Sequence, residues 1–452
     1  MLSKTRATLA LALSAPLLLF SGCGNTEAQD AQVRLVNATS EYTTMDLYTV
    51  DSKNVSTKFI SGTPSFSASS YDGLFGGTYT FKILGSGSST AAAQTSGSVS
   101  KQDHFAIVSY LSGGAATALL VPEEEPSPSS GNAKLRILNG ASAEVGGVDV
   151  FVTSNPCTAL ASTDTAFATA VTGLQTTFGE IIVPSSGTTW NVCVTATGNK
   201  ADLRLAANAV PFANQQVSTL ILTHTTGGTL LNGLVMNQQG TVTPFSNSLA
   251  RVRLVADAAG GASVSATLNS IPLAVDAGSP TIGDYTAIPS GPLTMSLAIS
   301  DVPVTTTPQT VTAGTDYTLL VAGTAGAATI ALLQDDNTPS TSVSLPVKMR
   351  LVNGLNGSTG TASLTSTGTL VASGIAFGAS SSYKTLAASD GLADVQAVGS
   401  GVTFDLSTQT LLSGGVYTFF FIGDAATSAT GSALRTDNTP VPVQTPASGA
   451  SS

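Results

Sequence analysis

Four arginines, at positions 34, 136, 253 and 350, each sit inside an apolar run: Val33-Arg34-Leu35-Val36-Asn37, Leu135-Arg136-Ile137-Leu138-Asn139, Val252-Arg253-Leu254-Val255-Ala256 and Met349-Arg350-Leu351-Val352-Asn353. A guanidinium offers a planar fork of donors that fits a carboxylate, so such a row could bind acidic ligands. The structural alternative is stronger. An arginine on the outer face of an edge or second strand lays its stem over apolar neighbours while its head finds water or a partner. Asp46 and Asp149 follow Arg34 and Arg136 at a hairpin's distance and are the candidate salt-bridge partners. The matching position after Arg253 is Ser265, and the fourth copy has no acid there, so pairing is expected for two copies only. The four arginines are read as strand markers.

Other reactive side chains are sparse. Asp335-Asp336-Asn337 and Asp437-Asn438 supply oxygens at repeated positions, but calcium takes six to eight ligands, and Asx residues before proline are ordinary turn formers. The two histidines, His104 and His224, lie in different copies. There is no Gly-x-Ser-x-Gly elbow and no His-Glu-x-x-His pair. Gly85-Ser86-Gly87-Ser88-Ser89 lacks the strand and helix that a phosphate cradle needs. The reading is therefore non-enzymatic, with no catalytic residues, no metal and no cofactor.

The elements that carry these residues repeat about every hundred residues, a common domain size. In the first copy the arginine run is followed by Met45-Asp46-Leu47-Tyr48, Gly77 to Ile83, Phe105 to Tyr110 and Ala118 to Val121, alternating runs separated by Gly and Ser. Period-two alternation with such turns reads as strands, and no helical stripe stands out. Thr90 to Thr95 suits a helical turn or a loop. Tyr317-Thr318-Leu319-Leu320-Val321 matches Tyr417-Thr418-Phe419-Phe420-Phe421, and Asp335-Asp336-Asn337-Thr338-Pro339 matches Thr436-Asp437-Asn438-Thr439-Pro440, so the last two copies share one register. The fold class expected is all-β: four tandem antiparallel β-sandwiches of Ig-like type, at 32–122, 132–237, 249–338 and 346–438. Between them, Pro122 to Gly131, Gln238 to Asn247 and Asn337 to Leu345 read as linkers, and 439–452 as a disordered tail. Short joints of this kind predict an extended, modestly flexible string of beads.

Composition supplies the address. Charged residues are 10% of the chain, hydrophobic residues 42%, and the formal net charge is −10. With 17 basic residues thinly spread, nothing gathers the charge that nucleic acid or an anionic membrane surface would require. Lys4 and Arg6, the apolar stretch from Ala7 to Phe20 and the exit Ser21-Gly22 form a secretory signal peptide over 1–22. Leu19-Phe20-Ser21-Gly22-Cys23 resembles a bacterial lipobox, with Phe20 where leucine is usual. This implies lipidation of Cys23, the nucleophilic sulfur, followed by a tether over 23–31. Gly24 after the cysteine, by resemblance to proteobacterial lipoproteins, implies the outer membrane. Two or more acyl chains give stable anchoring where one would be marginal. Cys157 and Cys193 remain, both in the second copy, and an oxidising compartment favours their disulfide; free or redox-active thiols would lack the Cys-x-x-Cys spacing.

The arginine run, Asp-Leu-Tyr or Asp-Val-Phe a dozen residues later, Tyr-Thr before a strand ending in glycine, and the closing Asp-Asp-Asn-Thr-Pro together resemble the bacterial domain of unknown function 4397. That resemblance implies tandem immunoglobulin-like or transthyretin-like sandwiches in secreted and lipid-anchored proteins, and it carries no catalytic residues. The functional expectation is a non-catalytic outer-membrane lipoprotein, on the periplasmic face or the cell surface, acting as a binding or spacer module. Its partners would be the membrane, through the lipid, and a protein or glycan. A glycan-binding or adhesion protein and a structural envelope or appendage subunit are the alternatives; a single Trp190 and 6% aromatic residues are poor material for the first.

Overall fold

The computed structural model describes residues 30–175, 177–183, 189–389, 393–426 and 433–437. The stretch expected to be a signal peptide, Cys23, Asn438 and the residues from 439 on lie outside the described residues. The chain is all-β, with four separate apolar cores, each drawn from one repeat. Every core is closed between two sheets, which makes each repeat a β-sandwich. In the first, one sheet joins Ser67–Ala68 and Asp72–Leu74 to Ala31–Asn37, then His104–Ser112, then Ala115–Pro122. The other runs Ser56–Pro64, Thr44–Val50, Gly77–Gly85, Ala93–Val99. The Thr90 to Thr95 stretch is thus partly strand. The helical content includes the four-residue Ser142–Val145 and two short 3-10 turns.

One feature departs from a purely antiparallel sandwich. The opening strand of each unit lies beside the penultimate strand and parallel to it: Arg34 opposite Ala106, Arg136 opposite Thr219, Arg253 opposite Thr318 and Arg350 opposite Thr418. The opening strand is therefore interior to its sheet, not an edge, and both of its faces need cover. Alternation divides the motif: Val33 and Leu35 enter their own core, while Val36 joins a second cluster with Ala106, Val108 and Val121. Leu138, Ile221, Leu234 and Met236 of the second unit complete that cluster. Val255 and Leu320 of the third unit meet Val352, Phe420 and Ile422 of the fourth in the same way.

The expected string of beads is accordingly replaced by two sandwich pairs, units one with two and three with four, packed sheet against sheet. Each fully buried Val, Leu, Ile or Phe contributes about 1.5–3 kcal/mol, so contacts of this kind hold neighbours together far more firmly than a linker. The stretch expected to link units two and three also has structure. Val242–Phe245 adds an outer strand to Leu231–Asn237, and Phe245 packs on the second core. Beyond it the pairs meet through polar backbone contacts: Gly227 N donates to Gly314 O at 2.8 Å, and Asn337 N to Gly227 O at 3.1 Å.

Cys157 and Cys193 form a disulfide. Val192 and Val194 point into the second core, so Cys193 points outward, and the bridge holds the 154–166 loop over Phe151 and Leu203 on the outer face. Lys200 fixes the same loop, its Nζ donating to the carbonyls of Ala161, Ser162 and Asp164 at 2.8, 2.9 and 2.6 Å.

Candidate functional site: arginine clusters between the repeats

The four marker arginines are buried, between 1% and 9% exposed, with their heads turned into the contact between paired units. This corrects the outer-face position expected from sequence. Being in register with Val36, Arg34 faces the second unit, because the partner sheet covers the face that would otherwise meet solvent. Its Nε donates to Glu123 Oε1 at 2.8 Å and its Nη2 to Glu123 Oε2 at 2.5 Å, while Nη1 reaches the Gly240 carbonyl at 2.5 Å. In the second pair the exchange is reciprocal. Arg253 of unit three binds both oxygens of Asp437 in unit four, and Arg350 of unit four binds Asp335 Oδ1 and the Gln334 carbonyl of unit three. Asp335 Oδ2 also accepts from Thr318 Oγ1 at 2.7 Å.

Glu123, Asp335 and Asp437 occupy one place in the fold, the residue that closes the last strand, opposite His104, Asp316 and Val416 respectively. The hairpin register aligns Asp335 with Asp437, one residue off the alignment suggested by the shared Asn-Thr-Pro. Gln238, opposite Val217, holds this place in unit two. Arg136 consequently has no carboxylate in hydrogen-bond contact: its Nε donates to Thr219 Oγ1 at 3.0 Å and its Nη2 to the Pro122 carbonyl at 3.2 Å. Burial pulls its pKa down, against the attraction of Glu125 and Glu123.

An aromatic ring covers each arginine, and sequence reasoning missed all four. Tyr71, Phe178, Tyr285 and Tyr383 stand with ring centres 4.8, 4.5, 4.6 and 4.8 Å from the guanidinium carbons of Arg34, Arg136, Arg253 and Arg350. Desolvated cation–π contacts of this kind are worth about 2 kcal/mol. Two tyrosines also close the triangle on the acid, Tyr71 Oη donating to Glu123 at 2.8 Å and Tyr285 Oη to Asp335 at 2.5 Å. A buried hydroxyl without an acceptor costs free energy, and Tyr383 Oη of unit four is buried without such a partner. In unit two, which lacks the acid, the ring is phenylalanine. The repeated Ser-Tyr of Ser70-Tyr71 and Ser382-Tyr383 was the available signal.

Asp46 and Asp149 do not pair with the arginines, which corrects that expectation. They lie on the opposite sheet and fasten the bulge of its edge strand. Asp46 accepts from Gly62 N at 2.8 Å, Ser86 Oγ at 2.7 Å and Lys58 Nζ at 2.6 Å; Asp149 accepts from Ala170 N and Gly198 N, both at 2.9 Å. Gly62 and Ala170 have φ of 67° and 50°, and a bulge in that conformation leaves an N–H for the acid to accept. Ser265 does the same for Asp276 N at 2.9 Å. The asparagine that ends the motif is another clamp: Asn37 Nδ2 donates to the carbonyls of Tyr42 and Thr63 at 3.0 and 3.2 Å, and Asn139 and Asn353 repeat this with Val171 and Ile375. The Tyr-Thr signature resolves into two tasks. Tyr317 and Tyr417 accept through Oη from Thr312 N and Leu412 N, five residues upstream, as in a tyrosine corner, and Thr318 and Thr418 meet Arg253 and Arg350.

The acidic turns are committed as well. Asp335 belongs to the arginine cluster, and Asp336 accepts from Thr338 N at 3.0 Å and pairs with Lys348 at 2.7 Å. Among the described residues there is no group of three or more His, Cys, Asp or Glu placed to hold a metal ion. Open grooves of about 350 and 330 Å³ line the flanks of units one and two, beside Ile60–Pro64 and Thr169–Gln175, walled by backbone and by Ser and Thr.

Residues 31–151 match the family described as Domain of unknown function (DUF4397). The match spans the first arginine cluster's own unit and the opening of the second. None of the curated proteins matches the chain. Among solved structures, a protein from Bacteroides uniformis ATCC 8492 provisionally assigned to cell adhesion is 10% identical over 47% of this chain and 100% of its own, with a TM-score of 0.19. The fimbrial anchor protein Mfa2 from Porphyromonas gingivalis is 8% identical over 48% of this chain and 100% of its own, TM-score 0.17. The pneumococcal glycogen-degrading virulence factor SpuA is 9% identical over 83% of this chain and 37% of its own, TM-score 0.18. No helix among the described residues is long and apolar enough to cross a membrane.

Proposed function

We propose that the chain is a lipid-anchored envelope protein whose two stiff sandwich pairs carry a non-catalytic binding or spacer surface away from the outer membrane. The reading rests on one observation above all: the clustered charges of the molecule are used to join its repeats. Arg34, Arg253 and Arg350 are held by carboxylates buried with them, and the apolar faces beside them are shared between units. Such an arrangement serves length and stiffness. Partner contacts, with a protein or a glycan, fall to the flank grooves and the loops at sandwich ends.

Two measurements test it. Cys23→Ser is expected to abolish incorporation of labelled palmitate and to release the chain from the membrane fraction; continued co-sedimentation with membranes would overturn the anchor. Small-angle scattering of the unlipidated chain is expected to fit two rigid pairs, and scattering typical of four independently moving beads would overturn the spacer.

A further inference from the structure

At the end of the first pair's interface farthest from the arginines, the helix Ser142–Val145 of unit two meets the turn between the last two strands of unit one. Glu144, 3% exposed, accepts from Gly114 N of that turn at 3.2 Å. His224, 4% exposed, stands behind it with Nε2 3.9 Å from Glu144 Oε1. The imidazole Nδ1 lies 2.9 Å from the Thr225 carbonyl, which can only accept, so Nδ1 carries a proton. Nε2 is left facing the carboxyl. His224 Nε2 and Glu144 Oε2 are both buried without a hydrogen-bond partner, while the oxygen nearer to Nε2, Oε1, accepts from Gly114 N.

Proton counting makes the contact sensitive. With one proton between them, the pair is either carboxylic acid against neutral imidazole or carboxylate against imidazolium, and neither form leaves a net buried charge. With two protons a buried imidazolium faces a neutral acid. With none, a buried carboxylate retains only main-chain donors. Both unbalanced states bear the cost of an unpaired charge out of water.

We propose that Glu144 and His224 share one proton and form a pH-gated latch between the first two units, closed when the pair holds one proton and loosened when it holds two or none. Burial raises the carboxyl's pKa, and the neighbouring His224 and the amides of Gly113 and Gly114 oppose that rise. The strand of unit one that faces this loop contributes one further titratable group, Tyr110, packed on Gly140. In the second pair Asn356 takes the place of Glu144, its Oδ1 accepting from Gly323 N at 2.8 Å, and the titratable group at that end is Asp257, whose carbonyl accepts from Asn356 Nδ2. This inference is independent of the lipid anchor.

The test is hydrogen exchange of the full mature chain, following amides around Gly114 from pH 5 to 9 after correction for intrinsic rates. Protection is expected to peak at intermediate pH and to fall at least tenfold on either side. Glu144→Gln, whose amide donates at any pH, should lose the alkaline limb, and His224→Gln should lose the acid limb. A flat profile in the unmodified protein would overturn the latch whatever the variants do. So would a two-limbed profile that both variants reproduce.

Discussion

At the scale of single residues, the side chains that stand out in the sequence are clamps. Asn37 is fully buried, and its amide joins the turn after the opening strand to the opposite sheet. Asn37→Ala strands two carbonyls and an N–H, so a loss of about 1–3 kcal/mol is expected from denaturant midpoints. The third unit, with Ala256 at this place, shows that the fold tolerates the absence elsewhere. Phe178 makes a sharper case. Phe178→Tyr would place a hydroxyl where Gln238 replaces the acid found in the other units; it is expected to destabilise by about 1–3 kcal/mol, and a chain as stable as the parent would show that the ring's polarity is not matched to the acid. Asp257 links residue to pH. One oxygen accepts from Gly423 N at 2.9 Å, the other has no partner, and burial lifts its pKa to about 8. Because the folded value lies above the unfolded one, the contribution is fully present below about pH 4 and is lost as pH rises through about 8. Asp257→Asn should remove that alkaline loss from a thermal melting series between pH 5 and 9.

At the scale of elements, the opening strand decides the architecture. An arginine within an unbroken apolar run is the pattern of a strand covered on both faces, since a half-exposed strand would alternate. The arginine was instead expected on an outer face; what was legible were the repeats, the strands and the Cys157–Cys193 pairing. The partner of Arg34 was not. Glu123 lies 89 positions away, in a stretch that looks like a solvated acidic linker, and only the parallel placement of the first and penultimate strands brings the two together. Breaking a buried ion pair by removing one member costs about 3–5 kcal/mol. Arg253→Met alone should therefore destabilise the second pair by about that much, while Arg253→Met combined with Asp437→Leu should recover a substantial part. Additive losses in this double-mutant cycle would mean that the two side chains do not interact.

At the scale of the whole molecule, each pair is tied internally by apolar faces, and the two pairs meet through backbone hydrogen bonds and through Leu249, which packs on the disulfide cluster of unit two. Gly228 at that joint has φ of 84°, and a Cβ there would lie 2.6 Å from Thr338 N. Gly228→Ala is expected to leave both pairs folded by circular dichroism and melting while broadening the distance distribution from small-angle scattering; unchanged scattering would show that the joint is not set by this contact. The sequence alone determined the β class, the fourfold repeat and the disulfide partners, because those depend on local periodicity, composition and count. Tertiary structure alone decided what the arginines do. A guanidinium reads the same in sequence whether it lies over a solvated sheet or under a neighbouring one. The difference lies in which face the next repeat covers, and that follows from the complementarity of two folded sheets.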